Sequence, residues 1–369
     1  MMVKMFAATQ MSQFNASKAI AKATLAITAH IASLFVISYE LNINKVEAIN
    51  INSSITLHKA TTRDRRELVA IRPSSNFDSR ISATLLDSRD RLWLGTWQGL
   101  IQIDQRTGKA ISSISLPNST VTALLEDNRG FFWVGTTSGL YQISPSSGKI
   151  ENIAIQLSSS RILSLAMDRA GFIWVGTDQD ITRISPYNAE TYARLPNIPG
   201  TAANVMQIDN AGNIWVGTLN GLLKINPGSA KITARIPFVS GQIVQALAID
   251  PSGTIWAGTP RNVIEINPKT NKAIARINTV TGRDIVALAS DQTGELWIGM
   301  RDGLVLANTY NGEIKSFINN LPHSSVLNLL ISDRQLWIGT MRGLGKINTK
   351  LKKSEIPNAT ATVIYTIQK

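Results

Sequence analysis

The chain of 369 residues has no cysteine, which excludes a disulfide framework and any thiol chemistry. Histidine is nearly absent too, limited to His30, His58 and His323. No His pair therefore stands at metal-ligand spacing, no Ser/His/Asp set can be assembled, and no glycine-rich loop is built to cradle phosphate. The sequence calls for no cofactor and no metal. Acidic residues are the minority, 25 against 37 Lys and Arg, giving a net charge of +12. The cations are scattered singly, as at Lys224, Lys231, Arg235 and Lys272, and no basic cluster is interleaved with aromatics. That pattern argues against nucleic acid as a partner and reads as a solvated surface, with attraction to an acidic partner as the alternative. Beyond residue 50 there is no low-complexity run, and no repeat window keeps a 3.6-residue period long enough for a helix.

What is present is a repeat. Seven tryptophans recur every 40 or 41 residues, at 93, 133, 174, 215, 256, 297 and 337, each inside a phrase such as Ile214-Trp215-Val216-Gly217-Thr218. A period near 40 with several short apolar runs per unit signifies a β-propeller. In the fourth repeat the runs 204–208, 214–218, 222–225 and 232–236 are separated by Gly, Pro, Asn and Asp. They read as four short strands, A to D, with A innermost. The expected fold is all-β, a propeller of four-stranded blades.

An Asp-x-x-Gly turn precedes the Trp phrase in repeats two to six, as in Asp209/Gly212, where Asp opens the turn and Gly takes positive φ. Repeat one carries Asp90 in the glycine position, and repeat seven is shortened around Asp333. Within each phrase Trp and Gly share one strand face, so a large ring beside a bare backbone should fill the gap between twisted blades. Trp97, the eighth tryptophan, falls outside the pattern, in the link after the first Gly-Thr.

Residues 1–48 read as an export signal or membrane anchor: Lys18 and Lys22 precede an apolar stretch from Ala23 to Ile37, and Val46-Glu47-Ala48 offers a cleavage site. Residues 49–369 are expected to form a single propeller, exported to the periplasm or beyond. Both ends carry leftover strand-like runs, Ile55–His58 and Leu68–Ile71 at the start and Thr362–Ile367 at the finish. An eighth blade assembled from both termini would leave none of them unpaired, and eight blades are therefore favoured over seven.

The phrase Trp-Ile/Val-Gly-Thr-x-x-Gly-Leu after Asp-x-x-Gly resembles the two-component regulator propeller repeat, most clearly at Asp127 to Leu140, Asp209 to Leu222 and Asp291 to Leu304. The resemblance covers residues 65–369 and implies blades of the periplasmic sensor region of hybrid histidine kinases. No kinase, transmitter or DNA-binding segment follows residue 369, so signalling is expected to act through a separate partner. Streptogramin lyases are similar in rhythm, and that resemblance implies a His base and bound magnesium. Here Gly-Thr stands where their Phe-Thr-Glu would, the repeated Glu is missing, and His323 in Leu321-Pro322-His323-Ser324 reads as a loop residue.

The expectation is an exported, non-catalytic binding or sensing module, with a protein-binding scaffold for envelope assembly and a lyase-like enzyme as alternatives. The B–C and D–A links should emerge on one face around the channel mouth, where loops carry binding on a repeated scaffold. The candidate rim is Trp97, Gln98, Asp178, Asp180, Asn220, Arg261, Arg301 and Arg342 from the B–C links, with Arg80, Arg161, Arg283 and His323 from the D–A links. Six arginines on one rim favour an anionic small molecule, saccharide or peptide, or an acidic protein partner.

Overall fold

The computed structural model describes residues 80–116, 118–153, 157–278, 280–332, 335–349 and 362–363. All lie in the second of two compact units, Glu67–Lys369. The export segment and the runs at 55–58 and 68–71 fall outside the described residues. Among those described, no helix is long and apolar enough to cross a membrane.

The fourth repeat folds as its alternation dictates. Ala203–Ile208, Ile214–Thr218, Gly221–Asn226 and Lys231–Arg235 form strands A to D of one antiparallel sheet in that order. Its Asp209-x-x-Gly212 turn closes between A and B with Gly212 at φ +87°, and Asp90 takes the equivalent left-handed conformation in the first repeat at φ +59°. Asp tolerates that region better than most side chains, which explains how the first turn survives without glycine. Seven such sheets form, spanning 83–115, 121–153, 162–195, 203–235, 246–277, 285–318 and 326–348, the last completed by Thr362–Val363.

The blades are cemented by the Trp phrase. All seven phrase tryptophans are buried, at most 3% exposed, whereas Trp97 is 47% exposed. Trp93 points toward the second blade and meets Phe132 edge-on at 5.2 Å, while Leu92 and Leu94 pack on Trp337 of the seventh. The glycine two residues after each Trp lets the next blade approach: a Cβ on Gly217 would lie 2.7 Å from Val244 Cγ1, and one on Gly95 2.6 Å from Val121 Cγ1.

The turn aspartate does more than open a turn. Asp250 Oδ1 accepts the backbone N–H groups of Ser252 and Thr254, while Oδ2 accepts the indole N–H of Trp256 at 3.0 Å. The same indole bond recurs from Trp93, Trp133, Trp174 and Trp215 to Asp87, Asp127, Asp168 and Asp209. In the sixth blade it is missing, and Trp297 Nε1 is buried without a hydrogen-bond partner among the described residues. Trp297→Phe is therefore expected to cost less than Trp256→Phe, which strips a partner from a buried carboxylate oxygen. The gap should be about 1–3 kcal/mol in chemical denaturation; equal losses would mean that the indole–carboxylate bond contributes nothing.

On strand C, the residue across from Trp256 is Glu265. Burial pushes its carboxyl up, and the Asp250 charge adds to that. An acid whose pKa is raised by folding penalises the folded state above that raised value, and the penalty vanishes once pH falls below the unfolded value. Glu265→Gln should therefore raise the melting temperature at neutral pH, with the gain disappearing in acid. Asp209 runs the other way. Burial pushes it up, but hydrogen bonds from Trp215, Asn213 and the Asn213 and Ala211 backbone outweigh this and hold it below the usual carboxylate range.

The ring closes at seven blades, and the expectation of an eighth is wrong. Thr362–Val363 pairs with Gly345 and Lys346 as the outermost strand of the seventh blade, not as the innermost strand of another. The seventh blade then packs directly on the first. Asn328 Nδ2 donates to Ile81 O at 2.8 Å, Thr84 Oγ1 donates to Asn328 Oδ1, and Ile81 N donates to Thr340 O. Lys346 Nζ reaches Gln105 O at 3.1 Å, repeating the bond of Lys224 to Pro268 O between the fourth and fifth blades. A Cβ on Gly339 would lie 2.7 Å from Ile81 O, so this seam is as tight as the others and leaves no gap for an eighth sheet. Truncation before Thr362 should consequently leave the ring folded, a result readable by circular dichroism; loss of the cooperative transition would restore the case for a closing role of this segment.

Candidate functional site

The B–C and D–A links meet on one face. Leu116 N donates to Gln98 O, Val244 N to Thr218 O, Gly282 N to Arg261 O and Met341 N to Ser325 O, at 2.8–3.2 Å. The phrase threonine holds the B–C link in every blade but the sixth, where Met300 replaces it: Thr218 Oγ1 accepts from Asn220 N at 3.1 Å and donates to Gly221 O at 3.1 Å. Rim residues of the other six blades thus sit on hairpins fixed from beneath. The threonine's recurrence in six of the seven phrases was the available signal for this role, and its place in strand B concealed it.

Between the fourth and sixth blades the mouth of the channel opens into a depression of about 580 Å³. Leu219, Ile243, Pro260 and Val286 supply its apolar lining, and Asn204, Gln245, Asp284 and Arg301 its polar groups. Leu219 and Ile243, both in links, are 45% and 39% exposed. Arg301 Nε donates to Asp284 Oδ2, and Gln245 Nε2 donates to Asp284 Oδ1 at 2.8 Å. Asp284 sits at φ +53°. A non-glycine residue in that region marks a loop whose shape is dictated by its surroundings.

The sequence-derived rim residues divide. Arg301 lines this depression, and Arg283 stands beside it, its Nε 3.0 Å from Asp302 Oδ2. The two links of the sixth blade are thus crossed by two ion pairs, Arg283 with Asp302 and Arg301 with Asp284. The charge at these two links is therefore mixed, because Arg283 and Arg301 each face a carboxylate. Arg80, Arg161, Arg261 and Arg342 are exposed. Trp97 and Gln98 line a separate hollow of about 330 Å³ with Ser113, Ser115 and Asn118.

Others are turned inward. Asp180 is buried, its Oδ1 accepting from Thr177 Oγ1 at 3.1 Å and its Oδ2 3.4 Å from Arg194, so it braces its own hairpin rather than facing the mouth. Asp178 is half-buried and its Oδ1 has no hydrogen-bond partner among the described residues. Asn220 Oδ1 accepts from Gly241 N at 2.8 Å, clamping one link to the next. His323 Nδ1 accepts from Ser325 N at 3.0 Å, the geometry of a loop brace. Asp284, Gln245, Ile243 and Val286 were not legible as site residues. Asp284 follows Arg283 directly, but its facing of Arg301 across the links is a property of space, not spacing. Among the described residues no group of three or more His, Cys, Asp or Glu side chains could hold a metal ion.

Scaffold and rim together define a seven-bladed propeller with a ligand-sized depression at one mouth. Residues 115–138 and 156–179 match the family model described as two component regulator propeller, so the chain carries repeats of that family. No curated protein sequence matches the chain. Among solved structures it is similar to the extracellular domain of a protein assigned as a one component system from B. thetaiotaomicron, with TM-score 0.67 and 18% identity over 77% of this chain. The chain spans only 40% of that extracellular domain's length. It is also similar to virginiamycin B lyase from Staphylococcus aureus, with TM-score 0.65 and 15% identity over 76% of this chain and 98% of the lyase. At these identities both likenesses show the fold alone.

Proposed function

We propose that this propeller is an exported, non-catalytic ligand-binding module that serves sensing through a separate partner, and that its ligand occupies the depression between the fourth and sixth blades. The single observation that carries the reading is the depression itself: open aliphatic side chains beside convergent amides and an ion pair. Such a mixture of apolar lining and few placed polar groups characterises small-molecule sites. The two component regulator propeller repeats support the sensing role. A lyase reading has less support, because the titratable groups of the depression are an aspartate tied to an arginine, with no separated acid and base.

A thermal-shift screen of small carboxylates, amino acids and saccharides tests the reading. At least one compound should stabilise the parent protein and fail to stabilise Ile243→Trp, whose ring would fill the depression. If every stabilising compound acts equally on both, the ligand site is elsewhere. Export is tested by sequencing the N-terminus of protein from the native host: processing near Ala48, or retention in the membrane, is the expected result. A chain starting at Met1 in the soluble cytoplasmic fraction would end that part of the proposal.

A further inference from the structure

The charges of the depression identify a ligand class. We infer that it binds a small zwitterion with an apolar body, of the kind presented by a free amino acid with a branched or aromatic side chain. The inference rests on the reading of this depression as the ligand site.

A simple anion is poorly served here. It would approach Arg301 only by coming close to Asp284, whose carboxylate already accepts from Arg301 Nε. A simple cation meets the same obstacle from the other side. A ligand carrying both charges escapes it, since its carboxylate can take the outer guanidinium edge while its ammonium takes the remaining lone pairs of Asp284. The four charges then alternate in sign around the contact. Both protein groups have capacity to spare: the Arg301 side chain is 63% exposed and the Asp284 side chain 31%. A guanidinium offers five donors, and a carboxylate about four acceptor sites.

The pair is also well placed to receive such a ligand. Gln245 Nε2 fixes Asp284 Oδ1, and the Asp284 backbone N donates to Pro260 O at 3.2 Å, tying its link to the neighbouring one. Asp284 is therefore held before any ligand arrives, which lowers the ordering cost of binding. Partly exposed ion pairs contribute little on their own, so a ligand that inserts its charges alongside this one disturbs little. Leu219 and Ile243 then have an occupant, because an apolar side chain laid on them removes both surfaces from water. The volume of about 580 Å³ exceeds the need of one amino acid and admits a large side chain.

Calorimetric titration of the full-length chain with leucine and phenylalanine, and with their N-acetyl and amide derivatives, decides the matter. N-acetylation removes the ammonium and amidation removes the carboxylate. The parent is expected to bind one of the free amino acids, with each derivative weaker by about tenfold or more. Two variants give opposite readouts that a merely structural role would not produce. Asp284→Asn, which tolerates the left-handed backbone, should come to prefer the N-acetyl anion, and Arg301→Gln should come to prefer the amide cation. Derivatives that bind the parent as tightly as the free amino acids would overturn the inference, as would absence of binding by any of them. If the amino acids fail while another screened compound stabilises the parent and not Ile243→Trp, the zwitterion is wrong and the ligand site stands. If no screened compound distinguishes the two proteins, the site itself falls.

Discussion

Gly217→Val is expected to lose about 3 kcal/mol or more of folding stability, and to abolish a cooperative transition if the ring is marginal. The added Cβ would lie 2.7 Å from Val244 Cγ1 on the next blade, 2.8 Å from Val205 Cγ1 on its own blade, and 2.8 Å from Val244 O. Two of these obstacles belong to Val244, just before the innermost strand of the next blade, and one of the two is backbone, so no rotamer change relieves the clash. The seam would have to widen, and in a closed ring a widened seam disturbs its neighbours. Gly228→Ala is the control, since the nearest atom to its Cβ would be Asn226 Oδ1 at 3.4 Å. Urea denaturation of the two variants against the parent makes the comparison. Equal midpoints would show that the phrase glycine is not required for blade approach.

Trp174→Ala should be the most costly truncation of a single side chain, about 3–5 kcal/mol. The ring is fully buried and packs against Ile214, Val216 and Leu223 of the following blade. Its removal leaves a cavity in a seam and takes the indole N–H from Asp168 Oδ2, which keeps Arg183 as its remaining side-chain partner. Trp97→Ala supplies the contrast, because that residue is exposed and lies outside the seams; its cost should stay within about 0.5 kcal/mol, as for surface positions generally. Comparable losses from the two variants would contradict the division of the tryptophans into seam fillers and a surface residue.

Most of the fold was legible because its signals are local. Asp-x-x-Gly turns, period-two alternation and the Trp/Gly face each operate within ten residues, and their recurrence separated pattern from accident. Even the tolerance for Asp90 in a glycine position follows from turn chemistry. The indole–carboxylate bond was only partly within reach of the same reading: Asp and Trp stand six residues apart in Asp209 and Trp215, which form it, and equally in Asp291 and Trp297, which do not. Its recognition needed the hairpin register that brings the two together. The candidate site was legible only as a face. Asp180 and Asn220 stand in variable links and read as exposed binding groups, yet one braces a hairpin and the other clamps two links. Sequence variability at a loop does not report which way a side chain turns.

The amino-acid sequence by itself determined the blade: its four strands, its turns, the tryptophan and glycine that join it to the next, and the face on which its links emerge. These depend on backbone conformations and hydrogen bonds between near neighbours, which residue type controls directly. The tertiary structure alone decided that the ring closes at seven and that Arg301 faces Asp284. Blade number follows from the angle at which each sheet settles on the last, summed around the ring until Asn328 and Thr340 meet Ile81. Ion pairing at the mouth follows from the same sum, because only a finished ring fixes where the links of one blade stand relative to each other and to their neighbours.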